Sequence, residues 1–165
     1  MKVYSFRASN KRSAIEIEAK VDYDDVALTR APSTIKDNNV FDIYKGKKAF
    51  DAICYCDSVN WVFSERVKNI FEKNNIKGIE FYPIIVNNLK EKYYGYYITG
   101  KAGKILNVDD MDMPPMFEPI EFDENEWDGS DIFCFKNSGA KYITEKVKLL
   151  IEENDLSNIE LREEN

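Results

Sequence analysis

The chain has 165 residues, 44% apolar and 32% charged, with a net charge of −7 and a sequence pI near 4.8. A chain of this length buries roughly 70% of its unfolded surface, enough for a single domain over 1–165, and 7 Gly and 5 Pro exclude fibrous and disordered compositions. The negative charge repels phosphate backbones and anionic membranes, so neither nucleic acid nor membrane is an expected partner, and the absence of histidine removes Ser-His-Asp and Cys-His nucleophiles and imidazole metal sites.

From the start, Met1-Lys2-Val3-Tyr4-Ser5-Phe6-Arg7 carries no apolar leader core, and no run approaches the roughly 18 apolar residues of a membrane span, so a cytoplasmic location is expected. Residues 14–21 alternate apolar and polar side chains, the period-two signature of a strand with one wet face, and residues 1–50 read as N-terminal strands. Residues 28–39, with Pro32, read as loop.

Residues 51–81 and 131–161 then align without a gap at a spacing of 80. Ten of the 31 pairs are identical, where roughly two are expected by chance: Asp51/Asp131, Cys54/Cys134, Ser58/Ser138, Glu65/Glu145, Val67/Val147, Lys68/Lys148, Glu72/Glu152, Asn74/Asn154, Ile79/Ile159 and Glu80/Glu160. Each copy reads as an extended run, a turn, a helix and a second extended run. Ser64 and Thr144 are N-cap residue types, followed by Glu65 and Glu145 where the helix dipole favours a carboxylate. Val67, Ile70, Phe71 and Val147, Leu150, Ile151 supply one apolar stripe per helix. Asn75 and Gly78, and Asn154, Asp155 and Asn158, supply the stops. The fold class expected is α+β, with a mixed or largely antiparallel sheet and two pseudo-repeated strand-helix-strand units.

Residues 82–130 read as a hairpin followed by an acidic segment. Tyr93–Ile98 and Lys104–Val108 flank a Gly-containing turn. Gly95 to Lys101 fits the glycine-lysine frame of a phosphate-binding loop, but Ala102 stands where the magnesium-binding hydroxyl belongs and no helix pattern follows. From Asn107 to Phe135 there is no Lys or Arg, while Asp109, Asp110, Asp112, Glu118, Glu121, Asp123, Glu124, Glu126, Asp128 and Asp131 are all acidic. One reading is an anionic surface for a basic partner, carried by Asp109, Asp110, Asp112, Glu124, Glu126 and Asp128 with Trp127 as an aromatic anchor. Another is a solvated acidic linker. A calcium loop fits poorly, since Gly129 comes one position late and Trp127 stands where an oxygen ligand belongs.

Cys54, Cys56 and Cys134 read as reduced thiols in strands and not as a zinc set, which needs a fourth ligand. Glu80 and Glu160, each between apolar residues, read as outward positions of half-buried strands and not as a catalytic pair. No catalytic residue, metal or cofactor is assigned.

Trp61-Val62-Phe63-Ser64-Glu65-Arg66-Val67, the amphipathic helix, and Gly78-Ile79-Glu80-Phe81-Tyr82-Pro83 together resemble a bacterial family first catalogued as a domain of unknown function. It is now grouped, as number eleven, with the immunity proteins of polymorphic toxin systems. The resemblance runs over roughly 50–161 and includes the aromatic strand from Tyr93, the acidic segment and a second helix start at Thr144-Glu145. Thr144 and Asn158 depart from the serine and glycine of the first copy, and Pro83 has no counterpart in the second. The motif residues Ser64, Glu65, Arg66, Gly78, Glu80, Phe81, Pro83, Thr144 and Glu145 read as scaffold. The resemblance implies a non-enzymatic protein that binds and inhibits a cognate, basic toxin. The alternatives are a carboxylate- or metal-dependent enzyme using the acidic segment and a structural interaction module.

Overall fold

A computed structural model describes residues 1–165 except 10, 32, 57 and 109–118, and leaves the side chains of 26, 27, 33 and 34 undescribed. Its strands are β1 (Val3–Ala8), β2 (Glu16–Ala19), β3 (Val40–Lys45), β4 (Ala52–Tyr55), β5 (Trp61–Ser64), β6 (Ile79–Pro83), β7 (Ile85–Val86), β8 (Tyr93–Ile98), β9 (Gly100–Ala102), β10 (Ile132–Phe135), β11 (Tyr142–Thr144) and β12 (Ile159–Glu163). The helices are α1 (Asp25–Arg30), α2 (Ser33–Asp37), α3 (Glu65–Lys73) and α4 (Glu145–Glu153). They build the expected α+β fold around two mixed sheets, of order β6-β8-β5-β4-β2-β3-β7 and β12-β1-β11-β10-β9.

The repeat is visible as a shared topology. The order β6-β8-β5-β4 in one sheet matches β12-β1-β11-β10 in the other, and each copy contains a strand hairpin before its helix where the sequence suggested one extended run and a turn. The second strand in each of these orders comes from outside the copy. β8 lies between β5 and β6, and β1 lies between β11 and β12, in the same register: Tyr96 faces Phe81 as Phe6 faces Leu161, and Ile98 faces Ile79 as Ala8 faces Ile159. β4 and β10 then each carry a parallel neighbour, with Glu16 beside Cys54 and Lys101 beside Cys134. Each half of the chain keeps its second strand in its own sheet and lends its first to the other half.

An aspartate identical in the two copies ties each copy to the other. Asp51 accepts hydrogen bonds from Ser64 Oγ at 2.8 Å, Arg66 at 3.1 Å and the Ser157 amide at 2.8 Å. Asp131 accepts from the Lys77 amide at 2.9 Å and Lys146 at 3.1 Å, so each aspartate binds the helix-to-strand turn of the opposite copy. Those turns need left-handed backbone at equivalent places: Asn75 (φ 51°) and Asp155 (46°), Gly78 (90°) and Asn158 (65°). At Gly78 a Cβ would also lie 2.0 Å from the Ile132 carbonyl oxygen, which fixes glycine there.

The period-two alternation divides the side chains among three cores. Phe63, Trp61, Tyr96, Ile132, Ile143 and Phe6 meet the buried helix residues Val67, Phe71, Val147 and Ile151 in the central one. On the other face of the longer sheet, Ile17, Phe41, Ile53 and Tyr82 are covered by Leu28 of α1 and Ile35 of α2. On the other face of the shorter sheet, Val3, Phe133, Phe135 and Tyr142 are covered by Ile105, Ile120, Phe122 and Trp127.

Two expectations are corrected. Residues 28–39 are not loop: α1 and α2, six and five residues long, occupy much of them. Helices this short are held by packing and not by their own propensity, so no 3.6-residue period is available to announce them. Nor do residues 93–98 and 104–108 form a hairpin. β8 and β9 follow each other closely but belong to different sheets, with the Thr99 amide turned onto the Gly78 carbonyl at 3.0 Å, and Ile105 makes only an isolated bridge to Phe122. No helix among the described residues is long and apolar enough to cross a membrane.

Candidate functional site

The described part of the acidic segment, residues 119–131, is a strap across the outer face of the shorter sheet. Its apolar residues point inward: Ile120 is buried, the Phe122 ring packs 5.1 Å from Phe135, and the Trp127 ring lies 6.2 Å from Phe133. Backbone bonds fasten both ends. The Ile120 amide donates to the Glu164 carbonyl and the Leu106 amide to the Glu121 carbonyl, both at 2.6 Å, and the Asp128 amide donates to the Lys101 carbonyl at 3.1 Å. Between them Asp123 caps a single 3-10 turn, Glu124–Glu126, through the Asn125 amide at 2.9 Å. With its apolar side chains docked, the strap leaves Glu121, Asp123, Glu124, Glu126 and Asp128 exposed on one outward surface.

The residues singled out from sequence divide into different duties. Asp109, Asp110 and Asp112 lie outside the described residues. Glu124 pairs with the N-terminal ammonium, and Glu126 lies 3.7 Å from Lys136, both still exposed and in high dielectric, where such pairs contribute little stability. Asp128 acts as a tie, accepting the Lys101 amide at 2.8 Å and the Ser130 amide and hydroxyl at 3.0 and 2.5 Å. Burial pushes its carboxyl upward, but the bonds from Ser130 and Lys101 outweigh burial and hold it below the usual aspartate value. Trp127 is half-buried, with its indole N–H donated to the Ser130 carbonyl at 3.0 Å, so it anchors the strap to the sheet. Glu121 and Asp123 join the exposed set. Both belong to the acidic run, but nothing local in sequence separated them from their neighbours.

The family-motif residues are structural. Ser64 Oγ caps α3 through the Val67 amide at 3.3 Å, Glu65 accepts from Tyr94 Oη at 3.3 Å, and Arg66 serves Asp51. Phe81 packs between Phe63 and Phe71, and Pro83 ends β6. Thr144 has the extended N-cap backbone but makes no side-chain cap bond, and Glu145 fills the first turn of α4. Glu80 and Glu160 are exposed on different sheets, with Glu80 taking the Tyr97 hydroxyl and Glu160 pairing with Arg7 at 2.9 Å, so they do not meet as an acid pair.

No three carboxylates or thiols converge on a common point among the described residues. Cys134 is buried, and burial pushes the Cys54 thiol up to about 11, which keeps it protonated and a poor ligand. The glycine-lysine frame near Gly95 has a packing explanation, since a Cβ there would strike the Tyr82 ring at 2.2 Å. Sequence reasoning passed over one buried cation, Lys141. Its ammonium bonds Asn60 Oδ1 at 2.9 Å and sits 4.5 Å over the ring of Trp61, its own counterpart in the first copy.

The surface therefore offers dense, outward carboxylates on a fastened backbone, an arrangement suited to attracting a cationic surface. Compared with models of known protein families the chain matches none, and no curated protein matches it.

Proposed function

We propose that this chain is an immunity protein of a bacterial polymorphic toxin system, a non-enzymatic inhibitor that binds a basic cognate toxin through the acidic strap. The observation that carries this reading is the strap itself. From Pro119 to Asp131 there is no Lys or Arg, and the apolar residues are spent on docking, so every charged side chain the strap turns outward is a carboxylate. Such a surface steers a basic partner by long-range charge and raises the association rate more than the lifetime of the complex. The toxin partner enters this reading through the likeness of Trp61–Val67 and Gly78–Pro83 to the immunity family, although no family model matches the chain.

The test is association kinetics with the cognate toxin, taken as the product of the adjacent gene. Changing Glu121, Asp123, Glu124 and Glu126 together to Gln or Asn should slow association by about tenfold or more at low salt and flatten its dependence on ionic strength. An unchanged association rate and salt slope would overturn the role of the strap.

A further inference from the structure

The two copies present equivalent edge strands that have diverged. Among the described residues, no strand pairs with β6 beyond β8 or with β12 beyond β1. At the two ends of β6 the Gly78 carbonyl accepts from the Thr99 amide at 3.0 Å and the Ile84 amide donates to the Tyr93 carbonyl at 3.4 Å. Bonded positions alternate along an antiparallel pair, so Glu80 and Tyr82 face β8, while Ile79, Phe81 and Pro83 turn their backbone groups to the open edge. Proline has no N–H, and the Pro83 carbonyl is taken by Asn39 Nδ2 at 3.0 Å. The N–H and C=O of Ile79 and Phe81 remain.

Beside them lies a cleft of about 240 Å³ between the edge and α3, lined by Phe71, Glu72, Ile76, Ile79, Glu80 and Phe81. In the second copy Leu156, the counterpart of Ile76, is buried. β12 carries Glu160, Arg162 and Glu163, with Glu160 bridged to Arg7 and Glu163 to Lys2, both at 2.9 Å. Charges of this kind oppose added strands, and β6 has only Glu80.

We propose that the open edge of β6 receives an extended strand of the partner protein, apolar opposite Ile79 and Phe81 and basic at the position between them. Strand neighbours share a face, so side chains opposite Ile79 and Phe81 enter the cleft over Ile76 with Glu72 at its rim, and the intervening one lies beside the Glu80 carboxylate. This rests on the protein-binding reading but not on the strap, and the two fail separately.

The probe is a short capped peptide alternating Val and Lys, added to the full chain while amide hydrogen exchange is followed by NMR. The expected result is slowed exchange at the Ile79 and Phe81 amides, no slowing at Ile159, Leu161 or Glu163, and none anywhere with the same peptide N-methylated on its pairing amides. Replacing Lys by Glu in the peptide should weaken binding by about two- to fivefold, and Glu80→Lys should reverse that preference. Unchanged exchange at Ile79 and Phe81, equal slowing along β12, or equal binding by the N-methylated peptide would overturn the proposal.

Discussion

Phe63 sits at the centre of the shared core, with ring centroids of Tyr96 at 4.9 Å, Phe71 at 6.1 Å, Trp61 at 6.3 Å and Phe6 and Phe81 at 6.4 Å. Truncation leaves a void among rigid rings that cannot collapse into it, so Phe63→Ala should cost about 3–5 kcal/mol in urea unfolding, and a loss below about 1 kcal/mol would contradict this packing. Lys141 makes a different prediction. Burial, working against Cys134 and Asp25, pulls its folded pKa down from 10.5 to about 8. Between those values the unfolded chain binds the extra proton, so the cost of this ammonium is full below pH 8 and is relieved as pH rises toward 10.5. Cys54 and Cys134, raised by burial, act in the opposite sense from about pH 9 upward, so the residue is isolated by comparison with Lys141→Met. The stability of the variant relative to the parent should fall by up to about 3 kcal/mol between pH 7.5 and 10, measured by denaturant midpoints, whereas a constant difference would contradict the buried charge.

Among the elements, those with strong local signals were legible. The two longer helices follow from their caps and apolar stripes, and the outward placement of Glu80 and Glu160 from period two. The exchange of β1 and β8 was not legible, because the spacing between equivalent residues changes from 80 in the copies to 90 in the lent strands and 85 in β2 and β9 as the connecting loops differ in length. Aligned at one spacing, Tyr4 and Tyr94 never meet. The carboxylates of the strap were legible as a charge run, but Trp127 reads the same in sequence whether its ring faces a partner or a sheet, and only the packing against Phe133 decides. The exchange has a mechanical consequence. Cutting the full chain at an inserted protease site beside Lys90 and Glu91, both exposed, should leave the two pieces associated on gel filtration, because each half holds a strand in the other's sheet. Prompt separation without denaturant would contradict the strand order.

For the whole molecule, charge and scaffold are distributed unequally. The repeat supplies a framework in which the shared aspartates, caps and left-handed turns are consumed by folding, while Glu121, Glu124 and Glu126 lie exposed in the connection between copies, the last two only in exposed ion pairs. A chain built this way keeps its scaffold when these surface charges change. The most direct measurement of the proposed function is growth of cells expressing the product of the adjacent gene, with and without this chain. The expected outcome is growth arrest by that product alone, rescue by the parent chain, and weakened rescue by the variant neutralised at Glu121, Asp123, Glu124 and Glu126 although it folds with unchanged stability. Arrest that the parent chain fails to relieve, with no complex recovered, would contradict it.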